Sequence, residues 1–116
     1  MGLARQSDQV ILAVIEPIMD NLMQGSTEID HAKHTRDFTD RLKAIVSETY
    51  LECICRDYQS RWGFFTDREC VAIFRRPGSI AVVWKQWCSQ MPGELVAELV
   101  LVEHAGRYRV DHVMVY

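Results

Sequence analysis

Apolar residues recur at helical spacing between Ser7 and Gln24, where Ile11, Val14, Ile15, Ile18 and Leu22 form one stripe. Ser7 is placed to cap the start of this helix and Gly25 to end it. Pro17 interrupts the pattern without ending it, removing one backbone donor and crowding the preceding turn, which predicts a kinked helix. The next stretch, "GSTEIDHAKHTRDFTDRLKAIV", is polar with scattered anchors at Ile29, Ala32, Phe38, Leu42 and Ile45, which predicts one or two short covering helices. A second long helix follows in "SETYLECICRDYQSRWG", with Ser47 as N-cap, a stripe of Leu51, Ile54, Cys55, Tyr58 and Trp62, and Gly63 as the stop.

Beyond Gly63 the period changes from helical to alternating. Four strands are predicted, near 69–75, 80–89, 94–103 and 107–116, separated by the turn-forming stretches "RPGS", "QMPG" and "HAGR". Helices first and consecutive hairpins afterwards predict a single α+β domain over 1–116, its N-terminal helices packed on one face of a curved antiparallel four-stranded meander sheet.

The turns set a register. If Ser89 pairs with Glu94 and His104 with Arg107, Trp84 lies opposite Leu99 and Leu99 opposite His112. Strict alternation then gives an inner face of Ile80, Val82, Trp84, Leu95, Ala97, Leu99, Leu101, Tyr108, Val110, His112, Met114 and Tyr116. The outer face receives Val83, Lys85, Trp87, Val96, Glu98, Val100, Val102, Arg109, Asp111, Val113 and Val115, with Lys85 opposite Glu98. A face rich in valine, with a tryptophan and a compensated charge cluster, suits a subunit interface better than open water.

Composition narrows the class. A chain of 116 residues buries roughly two-thirds of its unfolded surface without staples, and 48% hydrophobic with 25% charged residues describes an ordinary globule. A formal net charge of -3 offers no electrostatic reason to expect nucleic acid or an anionic membrane. No apolar run approaches the roughly 20 residues of a membrane span, and the N-terminus carries no export signal, so a cytoplasmic protein is expected. Cys53, Cys55, Cys70 and Cys88 lack paired zinc spacing and read as reduced packing residues, although Cys70 falls near Lys85 in the first hairpin. His31 and His34 share a helix face, but a metal needs a third ligand in fixed geometry. They read as part of a solvated face, and neither metal nor cofactor is expected.

The order of these elements, a helix ending "NLMQG", the short-helix stretch "DHAKHTRDFTDRLKAIV", the helix "SETYLECICRDYQSRWGFF" and the meander "GELVAELVLVEHAGRYRVDHVMVY", resembles the nuclear-transport-factor-two-like superfamily of cystatin-like α+β cones. That resemblance implies a strongly curved sheet whose concave face, closed by helices, forms a conical core or pocket and whose convex face pairs two subunits. Two uses follow. The preferred one is a non-catalytic homodimer taking a small apolar or aromatic ligand in a concave core lined by Ile15, Tyr58, Trp84, Leu99, His112 and Met114. Its dimer interface would be Lys85, Trp87, Val96, Glu98, Val100, Arg109, Asp111, Val113 and Val115. The alternative is an isomerase- or dehydratase-type enzyme with His112 as acid/base and Tyr58 or Tyr108 as hydroxyl partner.

Overall fold

A computed structural model describes residues 2–116. After a short 3₁₀ turn at Gly2–Arg5 come α1 (Asp8–Glu28), α2 (His31–His34), α3 (Asp40–Ile45) and α4 (Glu48–Trp62), then β1 (Phe65–Arg75), β2 (Ser79–Cys88), β3 (Leu95–His104) and β4 (Arg107–Val115). The strands form one antiparallel sheet in the order β1-β2-β3-β4, the predicted meander, so the domain is α+β with its helices first. No helix among the described residues is long and apolar enough to cross a membrane.

Each helix starts where its cap residue stands. Ser7, Thr39 and Ser47 accept from the backbone N–H three residues on, at Val10, Leu42 and Tyr50, and so satisfy donors that the first turn leaves unpaired. α1 crosses Pro17 unbroken, with the proline on its exposed side, where water can solvate the carbonyl left without a donor. It also continues past Gly25, the expected stop, to a cap at Ile29 in the left-handed region at φ 54°. Gly25 serves a close approach instead. A Cβ built there would lie 2.5 Å from the backbone nitrogen of His34, so the missing side chain lets α2 pack directly on α1.

The core lies between α1, α4 and one face of the sheet, where Ile11, Ile15, Met19, Ile80, Val82, Trp84, Ala97, Leu99, Leu101 and Val110 are almost wholly buried. Trp84 fixes α1 to the sheet, its indole Nε1 donating to Glu16 at 2.5 Å. Arg68 stacks over the same ring and pairs with Glu16 at 3.0 Å and Asp20 at 2.6 Å, two carboxylates one helical turn apart. β1 begins at Phe65, earlier than the alternation suggested. Its irregular start is held by buried Gln86, whose amide nitrogen donates to the carbonyls of Thr66 and Asp67.

Two register differences separate the sheet from its prediction. Trp84 faces Ala97 and Leu99 faces Val82, a slip of two residues that leaves every side chain on its expected face. Lys85 therefore lies opposite Val96 rather than Glu98 and reaches Glu94 at 3.4 Å. The β3–β4 pairing follows the prediction from His104–Arg107 to Leu101–Val110, and then a bulge inserts Asp111 so that Val100 faces His112. One extra residue inverts the faces of everything after it. Val113 and Val115, expected outside, pack on the core, whereas His112, Met114 and Tyr116, expected inside, lie on the outer face.

Because Gly25 sits against backbone that cannot yield as a flexible side chain would, Gly25→Ala is expected to destabilise the fold by about 1–3 kcal/mol, although alanine is the better helix former. Urea unfolding measures this, and an equal or higher midpoint would count against the close-packing role of Gly25.

Candidate functional site

α4 stands away from the β4 edge of the sheet, and the gap between them is a cleft of about 480 Å³. Its walls come from α3 and Val46 on one side, α4 on another, and residues 112–115 of β4 on the third, with Ser26, His34 and Phe65 also lining it. Leu42, Val46, Leu51, Tyr58, Trp62, Val113 and Val115 make the lining largely apolar and aromatic. Tyr58 stacks on Phe65 with ring centroids 4.7 Å apart, which fixes the phenol ring. Ile45, Tyr50 and Ile54 line the same cleft yet remain 54%, 49% and 47% exposed, and Met114 borders it from the outer side of β4. Ile54, predicted within the buried stripe of α4, thus belongs to the cleft's outer lining.

The bulge holds the cleft's α3 wall in place. Asp111 accepts from Thr39 Oγ1 at 2.8 Å and from Arg41 Nε at 3.0 Å, and Arg41 also donates to the Asp111 carbonyl. Thr39 is itself the N-cap of α3, so one side chain starts the helix and ties it to β4. Beside the bulge, the N–H of Thr39 donates to the Val110 carbonyl and the N–H of Val110 to the Asp37 carbonyl, covering part of an otherwise open strand edge. Partial burial pushes the Asp111 carboxyl up, but the hydrogen bonds from Arg41 and Thr39 and the charge of Arg41 outweigh it and hold the group below the usual carboxylate value.

A polar group closes the inner end of the cleft. Ser26 Oγ lies 2.7 Å from Tyr58 OH and 3.4 Å from Cys55 Sγ, and Gln59 Nε2 donates to Tyr58 OH at 3.4 Å. Burial pushes both the Cys55 thiol and the Tyr58 phenol up, so each keeps its proton at neutral pH. His34, 9% exposed, donates from Nδ1 to the Leu22 carbonyl at 2.8 Å. Burial holds its pKa below the usual imidazole value; the Leu22 bond opposes this and the nearby His31 adds to it.

Several expected site residues lie elsewhere. Trp84, Leu99 and Ile15 are packed solid in the core, at 1%, 0% and 0% exposure, so the expected concave pocket around them is filled by side chains. His112, Met114 and Tyr58 do line the cleft, but the His112 imidazole bonds Glu98 at 3.2 Å on the outer face, where its side chain is 45% exposed. Tyr108 packs on the core four residues earlier in β4, across the bulge from His112, so the expected catalytic set of His112, Tyr58 and Tyr108 is not gathered at one point. The expected interface keeps Lys85, Trp87, Val96, Glu98, Val100 and Arg109 on the outer face, and loses Asp111, Val113 and Val115 to the helix side.

His31 and His34 form no solvated face. His31 Nε2 bonds the Val46 carbonyl at 2.7 Å while His34 bonds Leu22, so the two rings clip α2 to different elements. Cys70 lies opposite Trp84 rather than beside Lys85, and burial together with the charges of Glu16 and Asp8 pushes its thiol up, away from a reactive thiolate. Ser26 carries no expectation as a site residue in the sequence, and His34 is expected there only as part of a solvated face. The signal for Ser26 was the stripe itself, since position 26 continues 11, 15 and 22 once the helix is allowed past Gly25.

No protein-family model matches the chain, and no curated protein matches it significantly. Among solved structures it is similar to Bd1075 of Bdellovibrio bacteriovorus, with a TM-score of 0.53 and 8% identity over 89% of this chain and 39% of that one. It is also similar to RPA3114, a SEC-C motif containing protein from Rhodopseudomonas palustris, with a TM-score of 0.55 and 7% identity over 78% of this chain and 70% of that one. The chain thus spans less than half the length of the Bdellovibrio protein. At such identities the likeness is one of fold.

Asp111→Asn should lower stability at neutral pH by about 0.5–1 kcal/mol, a modest value because the pair is largely exposed. The folded-state pKa of Asp111 is depressed, so its contribution is fully present above the unfolded carboxyl pKa of about 4 and is lost as pH falls through the folded value. The stability gap between wild type and variant, followed by denaturant melts, should therefore close in acid; a gap that widens there would contradict the Arg41–Asp111 account.

Proposed function

We propose that the protein is a non-catalytic binding domain that takes a small apolar or aromatic molecule in the cleft between α3, α4 and β4, as a compact relative of the nuclear-transport-factor-two-like cones. One observation carries this reading. Of the nine large hydrophobic side chains most exposed among the described residues, three, Ile45, Tyr50 and Ile54, come from the helical walls of this cleft. Apolar side chains left in water around a concavity with an apolar lining are the usual mark of a binding site. The volume of about 480 Å³ falls within the range of small-molecule pockets.

Toluene, used as a plain apolar probe, should bind saturably and shift amide resonances of α3, α4 and 112–115 of β4. Ile54→Glu, at an exposed position that folding tolerates, should weaken toluene about five- to tenfold, the effect of losing one partly buried aliphatic contact. Shifts scattered over the whole sheet, or an affinity indifferent to Ile54→Glu, would remove the cleft from consideration.

The outer sheet face favours a second use, pairing with another copy of the chain. Phe74, Met114 and Tyr116 are each more than half exposed on this face, around the half-buried Val83, Trp87, Val96, Val100 and Val102. The charges among them have partners, Glu98 with His112 and Lys85 with Glu94, which lowers the cost of covering them. Sedimentation should find a dimer in the wild type and a folded monomer in Val100→Glu. A wild type that stays monomeric at high concentration would rule the face out.

A further inference from the structure

The polar end of the cleft is unbalanced between donors and acceptors, and the imbalance specifies what a ligand must bring. Ser26, Cys55, Tyr58 and Gln59 form a chain of contacts in which donors meet acceptors. Gln59 Nε2 donates to the Tyr58 hydroxyl, and Ser26 Oγ lies 2.7 Å from that hydroxyl and 3.4 Å from Cys55 Sγ, two contacts in which either partner can donate. Every hydroxyl of that group already has a partner within it. His34 differs. A carbonyl can only accept, so the 2.8 Å bond to Leu22 requires the proton on Nδ1, and on a neutral ring this makes Nε2 a lone-pair acceptor. Nε2 has no hydrogen-bond partner in the protein, although His34 lines the cleft and is 9% exposed.

Among the described side chains the polar atoms cut off from solvent without a partner are Arg68 Nε and Gln86 Oε1, so Nε2 is still reached by water through the cleft, and a ligand that displaces this water must bring a donor in its place. The ring cannot turn away to find a donor, because Nδ1 is tied to α1, the ring packs edge-on against Phe38, and the His34 backbone rests on Gly25. We infer that His34 Nε2 is the polar anchor of the cleft, and that the preferred ligand is an apolar or aromatic molecule carrying a hydroxyl or N–H donor, of the phenol or alcohol class. A carboxylate is the wrong partner, since it offers another acceptor, and both arginines lining the cleft are occupied, Arg41 by Asp111 and Arg61 by Asp57. This inference rests on the cleft being the ligand site, and its test separates the two.

Three probes of the same shape at pH 7 make that test: 4-methylphenol, toluene and 4-methylbenzoate. The phenol should bind about tenfold tighter than toluene, the worth of one hydrogen bond to a sheltered acceptor, and the benzoate no tighter than toluene. In ¹⁵N spectra of the histidine rings, the phenol should move the His34 Nε2 resonance upfield while Nδ1 stays protonated, and toluene should leave both in place. His34→Asn retains a donor for the Leu22 carbonyl and deletes Nε2, so 4-methylphenol should fall to the affinity of toluene; if that variant does not fold, the wild-type ring spectra decide alone. Equal binding of phenol and toluene with an unmoved Nε2 would overturn the anchor and leave the apolar cleft standing. Tightest binding by the benzoate would also overturn it, and no binding by any probe would overturn the cleft and the anchor together.

Discussion

A strand that pairs without interruption keeps its side chains in strict alternation, and β4 does so only as far as Val110. The single unpaired residue that follows sets most of what is particular to this domain. It turns Val113 and Val115 onto the helix side, where they form part of the cleft, and turns His112 outward to Glu98. It also frees Asp111 from the ladder's alternation, so that its carboxylate meets Thr39 and Arg41 at the start of α3. Without the bulge, Asp111 would face away from the helices and α3 would lose its tie to the sheet. The cleft wall and the strand irregularity are therefore one structural feature.

The part of the lining that α2 contributes, His34, depends on contacts of another kind. α2 is a single turn, too short to be stable through its own hydrogen bonds, and it is held from outside. Its two histidines each bond a carbonyl of another segment, its cap Asp30 accepts from Lys33, and its backbone rests where Gly25 leaves no side chain. This clamping fixes the His34 imidazole in one tautomer, while burial holds its pKa below the usual imidazole value. In a floppier segment the same imidazole would turn to water and titrate like any surface histidine.

The parts of the fold legible in the sequence were those governed by local chemistry. Ser7 and Ser47 capped the helices they were expected to cap, and the three turns divided the strands near their true ends. Alternation placed every residue of β2 and β3 on its correct face even though their pairing slipped by two, because a slip of two preserves parity. The candidate site was less legible. Alternation places Trp84 and Leu99 on the inner face, but they are packed core rather than pocket walls, since a periodic pattern reports which side a residue faces and not whether the space beyond it is filled. His112 was misplaced because a bulge has no periodic signature, and Asp111, short and polar amid apolar neighbours, was the one local hint of it.

The sequence alone thus determined the class of the domain, the number and order of its long elements, its meander connectivity and the inner face of the sheet as far as Val110, all of which follow from spacing, caps and turns within a few residues. Tertiary structure decided the faces of the last strand, the role of Gly25 as a contact surface, the clipping of His31 and His34 to distant carbonyls and the opening of a cleft beside α4. Each of these depends on a partner between 9 and 72 positions away in the chain. Local periodicity carries no information about such a partner, whose hydrogen bond or close contact exists only once the helices and sheet have packed together.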